Sequence, residues 1–207
     1  MFSHNRFLGI LIVVFLLLTG GCASLPENTN RQASYALTDT DDTVLGKRTA
    51  ARIQTKGNGK DGFLLLGSGL DAFVARALLA HHAERSIDLQ YYLYHHDLVG
   101  RLLMNQLIRA ADRGVRVRLL IDDMDLEGRD ATLIALDSHP NIELRVFNPF
   151  DRKLGRMPQF VTGFGSVTRR MHYKSFTLDN QVTIVGGRNI GNEYFVADPA
   201  FAFLDLD

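Results

Sequence analysis

His172 and Lys174 stand two residues apart in a run that reads as a strand, so both side chains leave the same face and Tyr173 points the other way. Asp179-Asn180 has turn chemistry, Val182 to Val185 reads as a return strand, and Gly186-Gly187 lets another group come close to the backbone. Asn189 adds a neutral donor shortly after. The reaction that wants this set is attack on a phosphodiester. Negative charge on the phosphoryl group has to be neutralised as a nucleophile arrives, and Lys, Asn and backbone N–H groups do that. An imidazole, with an ordinary pKa near ~6.5, can itself be the nucleophile and carry a covalent phosphate. Taken singly, each residue has a plainer reading: a His or Lys on a strand is commonly surface, and Gly-Gly is commonly a turn.

The whole spacing, His-x-Lys, then Asp179, then Gly-Gly-x-Asn, resembles the HKD signature of the phospholipase D superfamily. The flanks Arg170-Met171 and Ile190 to Phe195 resemble it too, and the likeness runs from about Gly62 to Asp207, closest to bacterial cardiolipin-synthase-like members. The resemblance implies a phosphatidyltransferase of phospholipase D-like fold that needs no metal and no cofactor. His172 would attack the lipid phosphorus or serve as acid for the leaving alcohol. Lys174, Asn189 and the Gly186-Gly187 backbone would bind the phosphate. Asp179 completes the catalytic set as its structural member, because the turn carries it away from His172. In the family a carboxylate from a following strand orients the imidazole; Asp205 matches best and Asp207 second. The acceptor would be an alcohol such as the glycerol headgroup of phosphatidylglycerol, giving cardiolipin, or water, giving phosphatidic acid.

That family's site uses two copies of the motif, and this chain holds one His-x-Lys. The second half-site is expected either from a missing C-terminal domain, with this chain as the N-terminal half, or from a homodimer partner. A lone half is expected to be inactive, since one imidazole cannot be both covalent nucleophile and opposing acid. Two other readings stay open: a single-motif endonuclease working as a homodimer, and an inactive lipoprotein that only binds anionic phospholipid. Lys+Arg and Asp+Glu are both 23, so no net charge favours nucleic acid.

Ahead of the domain, residues 1–22 read as a lipoprotein signal. Arg6 is the cation, Leu8 to Leu18 an apolar run too short for a comfortable span, and Cys22 the only cysteine. Leu18-Thr-Gly-Gly-Cys22 resembles a bacterial lipobox, which implies acylation at Cys22 and a lipid-anchored place in the cell envelope, at the outer membrane facing the periplasm. Residues 23–60, rich in Ser, Thr, Asn and Asp, read as a flexible tether.

The elements that must position the motif follow in residues 61–207. Phe63 to Leu66 reads as a short strand. Ser68 caps a helix with the stripe Leu70, Phe73, Val74, Ala77, Leu78 and His81. Ile87 to Tyr94 reads as a strand whose tyrosines either line a pocket or are buried with satisfied hydroxyls. Asp97 caps a second helix, striped by Val99, Leu102, Leu103, Leu107, Ala110 and Ala111 and closed by Gly114. Val115 to Ile121 is the next strand, and Asp122-Asp123-Met124-Asp125 at its end reads as loop solvation, with Asp130 as a cap, rather than as a Mg²⁺ site. Ile142, Leu144 and Val146 form another strand. Alternating strands and helices argue an α/β fold: a mostly parallel, mixed sheet with helices on both faces. Residues 148–169 break the rhythm as a rim or lid, in which Phe160, Val161 and Phe164 either touch acyl chains or pack the loop.

Overall fold

Alternating apolar residues in three successive segments build the parallel part of the sheet. In the computed structural model, which describes residues 32–57, 60–198 and 200–207, β1 (Ser86–Tyr91) pairs in parallel with β2 (Arg116–Asp122), and β2 with β3 (Ile142–Phe147). β4 (Ser175–Leu178) runs antiparallel on the free side of β1, and β5 (Val182–Val185) closes the order β3-β2-β1-β4-β5. The mixed α/β sheet expected from the sequence rhythm is the architecture found. Ile87, Leu89 and Tyr91 bury one face of β1, opposite Val117, Leu119 and Ile121 on one side and Leu178 and Phe176 on the other. Between them, Asp88 and Arg118 pair at 2.5 Å on the alternate face.

Helix α1 (Val44–Arg52), α2 (Gly69–His82), α3 (Leu98–Asp112) and α4 (Asp130–Asp137) accompany the sheet. Ser68 caps α2 by accepting from the Asp71 N–H, and Asp97 caps α3 by accepting from that of Gly100. Val99, Leu103, Leu107, Ala110 and Ala111 bury one face of α3 as predicted, whereas Leu102 turns outward. On α2 the stripe is rotated from the predicted one. Ala72, Arg76 and Ala80 are buried, while Leu70 and Leu78 are more than half exposed. A buried arginine breaks the apolar pattern on the inner face, so hydrophobicity alone selects the wrong one.

Two further expectations are corrected. Residues 34–52 are not a free tether: Thr43 caps α1, Leu45 joins the core, and Arg85 pairs with Asp42 at 2.8 Å. Gln181 donates to Thr40 and Asp41, fastening the same segment to the β4–β5 hairpin. Polar side chains that look like linker composition are here the docking contacts. Phe63 to Leu66 forms no strand of the sheet; only Leu66 pairs, exchanging backbone hydrogen bonds with Asp207. Among the described residues, no helix is long and apolar enough to cross a membrane. Cys22 and its proposed acylation lie outside the described residues.

Residues 150–169 stand outside the compact unit formed by residues 33–149 and 170–207. In place of an irregular loop they make two short helices, α5 (Arg156–Thr162) and α6 (Phe164–Val167).

Candidate active site

The chain is led to His172 by a buried carboxylate. Asp122, at the end of β2, accepts from Arg170 Nη1 at 2.9 Å, from the Met171 N–H at 2.8 Å and from the Met124 N–H at 3.0 Å. Arg170 also reaches the Asn148 carbonyl at 2.8 Å, and Met171 is buried. Asp122 is therefore a structural anchor rather than a solvated loop residue, and Asp130 gives α4 no side-chain cap, since Arg129 holds the cap position without one.

His172 and Lys174 lie just before β4, past its last ladder pair with β1, Gln90–Ser175. Continuing that register brings the residues beyond β1 alongside them. The Tyr92 ring stacks on His172, centroids 4.1 Å apart and planes 38° apart, and the Lys174 ammonium lies 5.7 Å from the same ring's centroid. Lys174 Nζ also donates to the His172 carbonyl at 3.0 Å. The His172 ring is exposed and, among the described residues, takes part in no hydrogen bond. Burial lowers the Lys174 pKa below the ordinary lysine value, and the charge of Asp205 partly offsets this. Tyr92 is the residue that sequence reading did not single out. The inward alternation of Ile87, Leu89 and Tyr91 was the available signal, because it leaves Tyr92 on the other face.

The rest of the motif serves the fold. Asp179, fully buried at the turn, accepts from the backbone N–H groups of Glu84, Arg85 and Ser86 at 2.8–3.2 Å. It holds the start of β1 and does not face His172. Its own φ of 48° and that of Asn180, 51°, are the left-handed values of a tight hairpin turn. Asn189, also buried, accepts from the Leu93 N–H at 3.1 Å and donates to the Tyr194 hydroxyl at 2.9 Å. It is a strut between the end of β1 and the turn Asn192–Tyr194, not a donor presented to an open cleft.

The diglycine differs from expectation in the same way. Gly187 N–H donates to the Leu206 carbonyl at 2.9 Å. A Cβ on Gly186 would strike Leu206 and Asp207, and one on Gly187 would strike Asp205. The close approach these glycines permit is thus made by residues 205–207 rather than by a phosphate. Asp205 comes beside Gly187 and close enough for Lys174 to feel its charge, but among the described residues no hydrogen bond joins it to the imidazole. Asp207, the second choice for orienting His172, is instead buried against two arginines: Arg76 Nη2 at 2.9 Å and Arg188 Nη1 at 3.3 Å. Those pairs explain the buried arginine on α2.

A second cluster was not anticipated. His95 Nδ1 lies 3.1 Å from Glu193 and Nε2 3.8 Å from Asp125, with Asp97 adjacent. The Asp97 oxygens already accept from Gly100 and Asn192 N–H groups. This cluster ties the loop before α3 to the turn that follows Asn189.

A mixed sheet that presents an imidazole and an ammonium over one aromatic ring defines a candidate phosphoryl-handling α/β domain. Its fold is similar to that of NucT from Helicobacter pylori, with a TM-score of 0.50 at 17% identity over 69% of this chain and 80% of that one. A family model described as "Cardiolipin synthase, PLD-like domain" matches residues 78–199, and the chain belongs to that family within the phospholipase D superfamily. Among curated relatives, cardiolipin synthase C of Escherichia coli (strain K12) is 53% identical over 149 residues, which cover 72% of this chain and 32% of that protein. An uncharacterised protein of Helicobacter pylori (strain ATCC 700392 / 26695) is 37% identical over 199 residues, covering 95% of this chain and 39% of it. The chain therefore spans only about a third to two-fifths of the length of these relatives.

Proposed function

We propose that this chain supplies one half-site of a phosphatidyltransferase that works through a phosphohistidine on His172. The observation that carries the reading is the exposed His172 ring, without a hydrogen bond among the described residues, held on Tyr92 with the Lys174 ammonium over the same ring. In the first step a ring nitrogen of His172 attacks the lipid phosphorus, a P–N bond forms, and the P–O bond to the departing alcohol breaks. The departing oxygen takes its proton from a second imidazole, which comes from another half-site, in a further domain or a second copy. In the second step that imidazole takes the proton of the acceptor alcohol, whose oxygen attacks phosphorus and releases His172. Lys174 neutralises the non-bridging oxygens throughout. Asn189 acts through the fold, holding the Leu93 N–H and the Tyr194 hydroxyl. The membrane is the substrate's location in this scheme, and acylation at Cys22 would keep the domain there.

The test is to incubate the active paired or full-length form with ³²P-phosphatidylglycerol, quench, and map label. Acid-labile, alkali-stable label on the peptide holding His172, lost in His172→Ala, is the expected result. Headgroup exchange that proceeds undiminished in His172→Ala would sink covalent catalysis here. Cleavage of DNA without headgroup release would move the chain to the endonuclease reading.

A further inference from the structure

His172, Tyr173 and Lys174 span the gap between two fixed points. On the far side Ser175 pairs with Gln90 in the β1–β4 ladder. On the near side the fixed point is Met171, and Asp122 supplies it from an unexpected direction. In the order β3-β2-β1-β4-β5, β2 and β4 flank β1 on opposite sides. A side chain at the end of β2 reaches the segment entering β4 only by crossing beyond the end of β1. Asp122 makes that crossing: Oδ2 accepts from the Met171 N–H at 2.8 Å, while Oδ1 accepts from Arg170 Nη1 at 2.9 Å and the Met124 N–H at 3.0 Å. Tyr92 lies on the same path, since continuing the register that sets Tyr91 opposite Ile121 brings Tyr92 opposite Asp122. Burial raises the Tyr92 pKa, the charge of Asp122 raises it further, and Arg170 partly offsets both. The two charges are therefore felt at the ring on which His172 rests.

The anchor is stiff as well as close. Asp122 is fully buried, Met171 is buried, and Arg170 uses its second terminal nitrogen on the Asn148 carbonyl at 2.8 Å, just past β3. One guanidinium thus ties the ends of β2 and β3, and His172 is the first exposed residue after it. Any slip at Met171 passes straight to the imidazole, and a reacting group displaced by roughly 1 Å can lose about 100-fold in rate. We propose that Asp122 is a positioning residue for His172: by holding the Met171 N–H across the end of β1, it seats the imidazole on Tyr92, in line with the phosphorus it attacks. The proposal rests on the phosphohistidine reading and names what orients that histidine. Its effect falls on kcat rather than on substrate binding, because Lys174 is held from the other side by Ser175 and by the Tyr92 ring.

Asp122→Asn tests this in the paired or full-length form. Oδ1 serves two donors and Oδ2 one, so the new amide turns its oxygen to Arg170 and Met124 and sets its NH₂ against the Met171 N–H. The Met171 amide should then exchange about tenfold faster, the worth of one hydrogen bond. Headgroup transfer should lose about 100-fold in kcat, with KM within about twofold of the parent. The deciding readout is the double variant with Tyr92→Leu. It should be about as slow as Asp122→Asn alone, since both residues hold the same ring, whereas a merely structural Asp122 would give the product of the two single losses. That product, a raised KM at the parent kcat, an unchanged kcat or an unchanged Met171 amide would overturn the proposal. Should Asp122→Asn fail to fold, Arg170→Lys carries the test, because an ammonium cannot fork to both Asp122 and the Asn148 carbonyl. Its kcat should drop about tenfold at the parent KM, and a parent kcat would overturn the proposal. His172→Ala run alongside keeps the two readings apart. Transfer that persists there removes the phosphohistidine; transfer lost there but kept at the parent kcat in Asp122→Asn removes only the positioning role.

Discussion

His172 and Asp179 belong to one motif and one hairpin, yet their surroundings are opposite. The His172 ring is exposed, touches Tyr92 by its face, and among the described residues spends no nitrogen on a hydrogen bond. The Asp179 carboxylate is fully buried and spends both oxygens on three backbone N–H groups. Asn189 and Gly187 side with Asp179, since their polar groups already have internal partners. The comparison divides a sequence signature that looks uniform into a reactive part, His172 and Lys174, and a scaffolding part that fixes where the reactive part stands. Motif residues can recur at fixed spacing for either reason, and only the hydrogen bonds tell them apart.

The sharpest way to break that division is to remove one member from each side. His172→Ala in the paired or full-length form should cut headgroup transfer on the order of 10⁶-fold, the scale of losing a covalent nucleophile. Its urea midpoint should move little, because the exposed ring gives up only its contact with Tyr92. A marked drop in stability with modest loss of transfer would put His172 on the scaffolding side.

Asp179→Ala should behave in the opposite way. Three backbone donors, of which that of Ser86 is buried, lose their acceptor at once, and a buried donor left unsatisfied costs about 1–3 kcal/mol. Urea denaturation should show that loss, while transfer per folded molecule falls far less than in His172→Ala. If Asp179→Ala proved as stable as the parent and as inactive as His172→Ala, the division would be wrong.

Much of this arrangement was legible in the sequence, and the exceptions share a cause. Alternating apolar residues announced β1, β2 and β3, while Asp179-Asn180 announced the hairpin turn, and Ser68 and Asp97 announced two helix starts. What stayed hidden were buried polar groups with distant partners. Arg76 on the inner face of α2 stands outside the expected apolar stripe, Asp122 beneath Arg170 reads as loop solvation, and Asp207 between Arg76 and Arg188 reads as a second choice for orienting His172 until their partners are in place. Thr40 and Thr43 escaped notice for the same reason, which made a docked segment look like a tether. At the site, strand period sets His172 and Lys174 on one face, but both stand just before β4 rather than in it, and the Tyr92 ring is what they share. The use of Gly186-Gly187 was not legible, because glycine records that something comes close without recording what.

Lys174 sharpens the comparison from the reactive side through pH. Burial lowers its pKa and the Asp205 charge pulls it partly back. The ammonium exists only below that pKa, so the alkaline limb of kcat/KM, which reports the free enzyme, should fall at lower pH than an ordinary lysine would give. Asp205→Asn removes the offset and should move the limb lower still. Lys174→Arg should abolish it within the stable pH range, because guanidinium stays charged. A limb that ignores Asp205→Asn would show that the two groups are not coupled at the site.

Tyr92 gives the smallest effect and the finest cut, because it lies outside the motif and its ring contacts both reactive residues. Its ring faces both His172 and Lys174, so Tyr92→Leu should release the imidazole from its resting orientation. An aromatic contact of this kind is worth about 0.5–1.5 kcal/mol, which in a barrier is roughly a threefold to tenfold loss of kcat. Tyr92→Phe keeps the ring and should retain nearly full transfer, since the argument assigns the hydroxyl no part. The amount of phosphohistidine trapped early in turnover should fall in Tyr92→Leu along with kcat, while the urea midpoint moves little. Were Tyr92→Phe as slow as Tyr92→Leu, the hydroxyl rather than the ring would be the working group, and Tyr92 would have to be placed against the substrate itself.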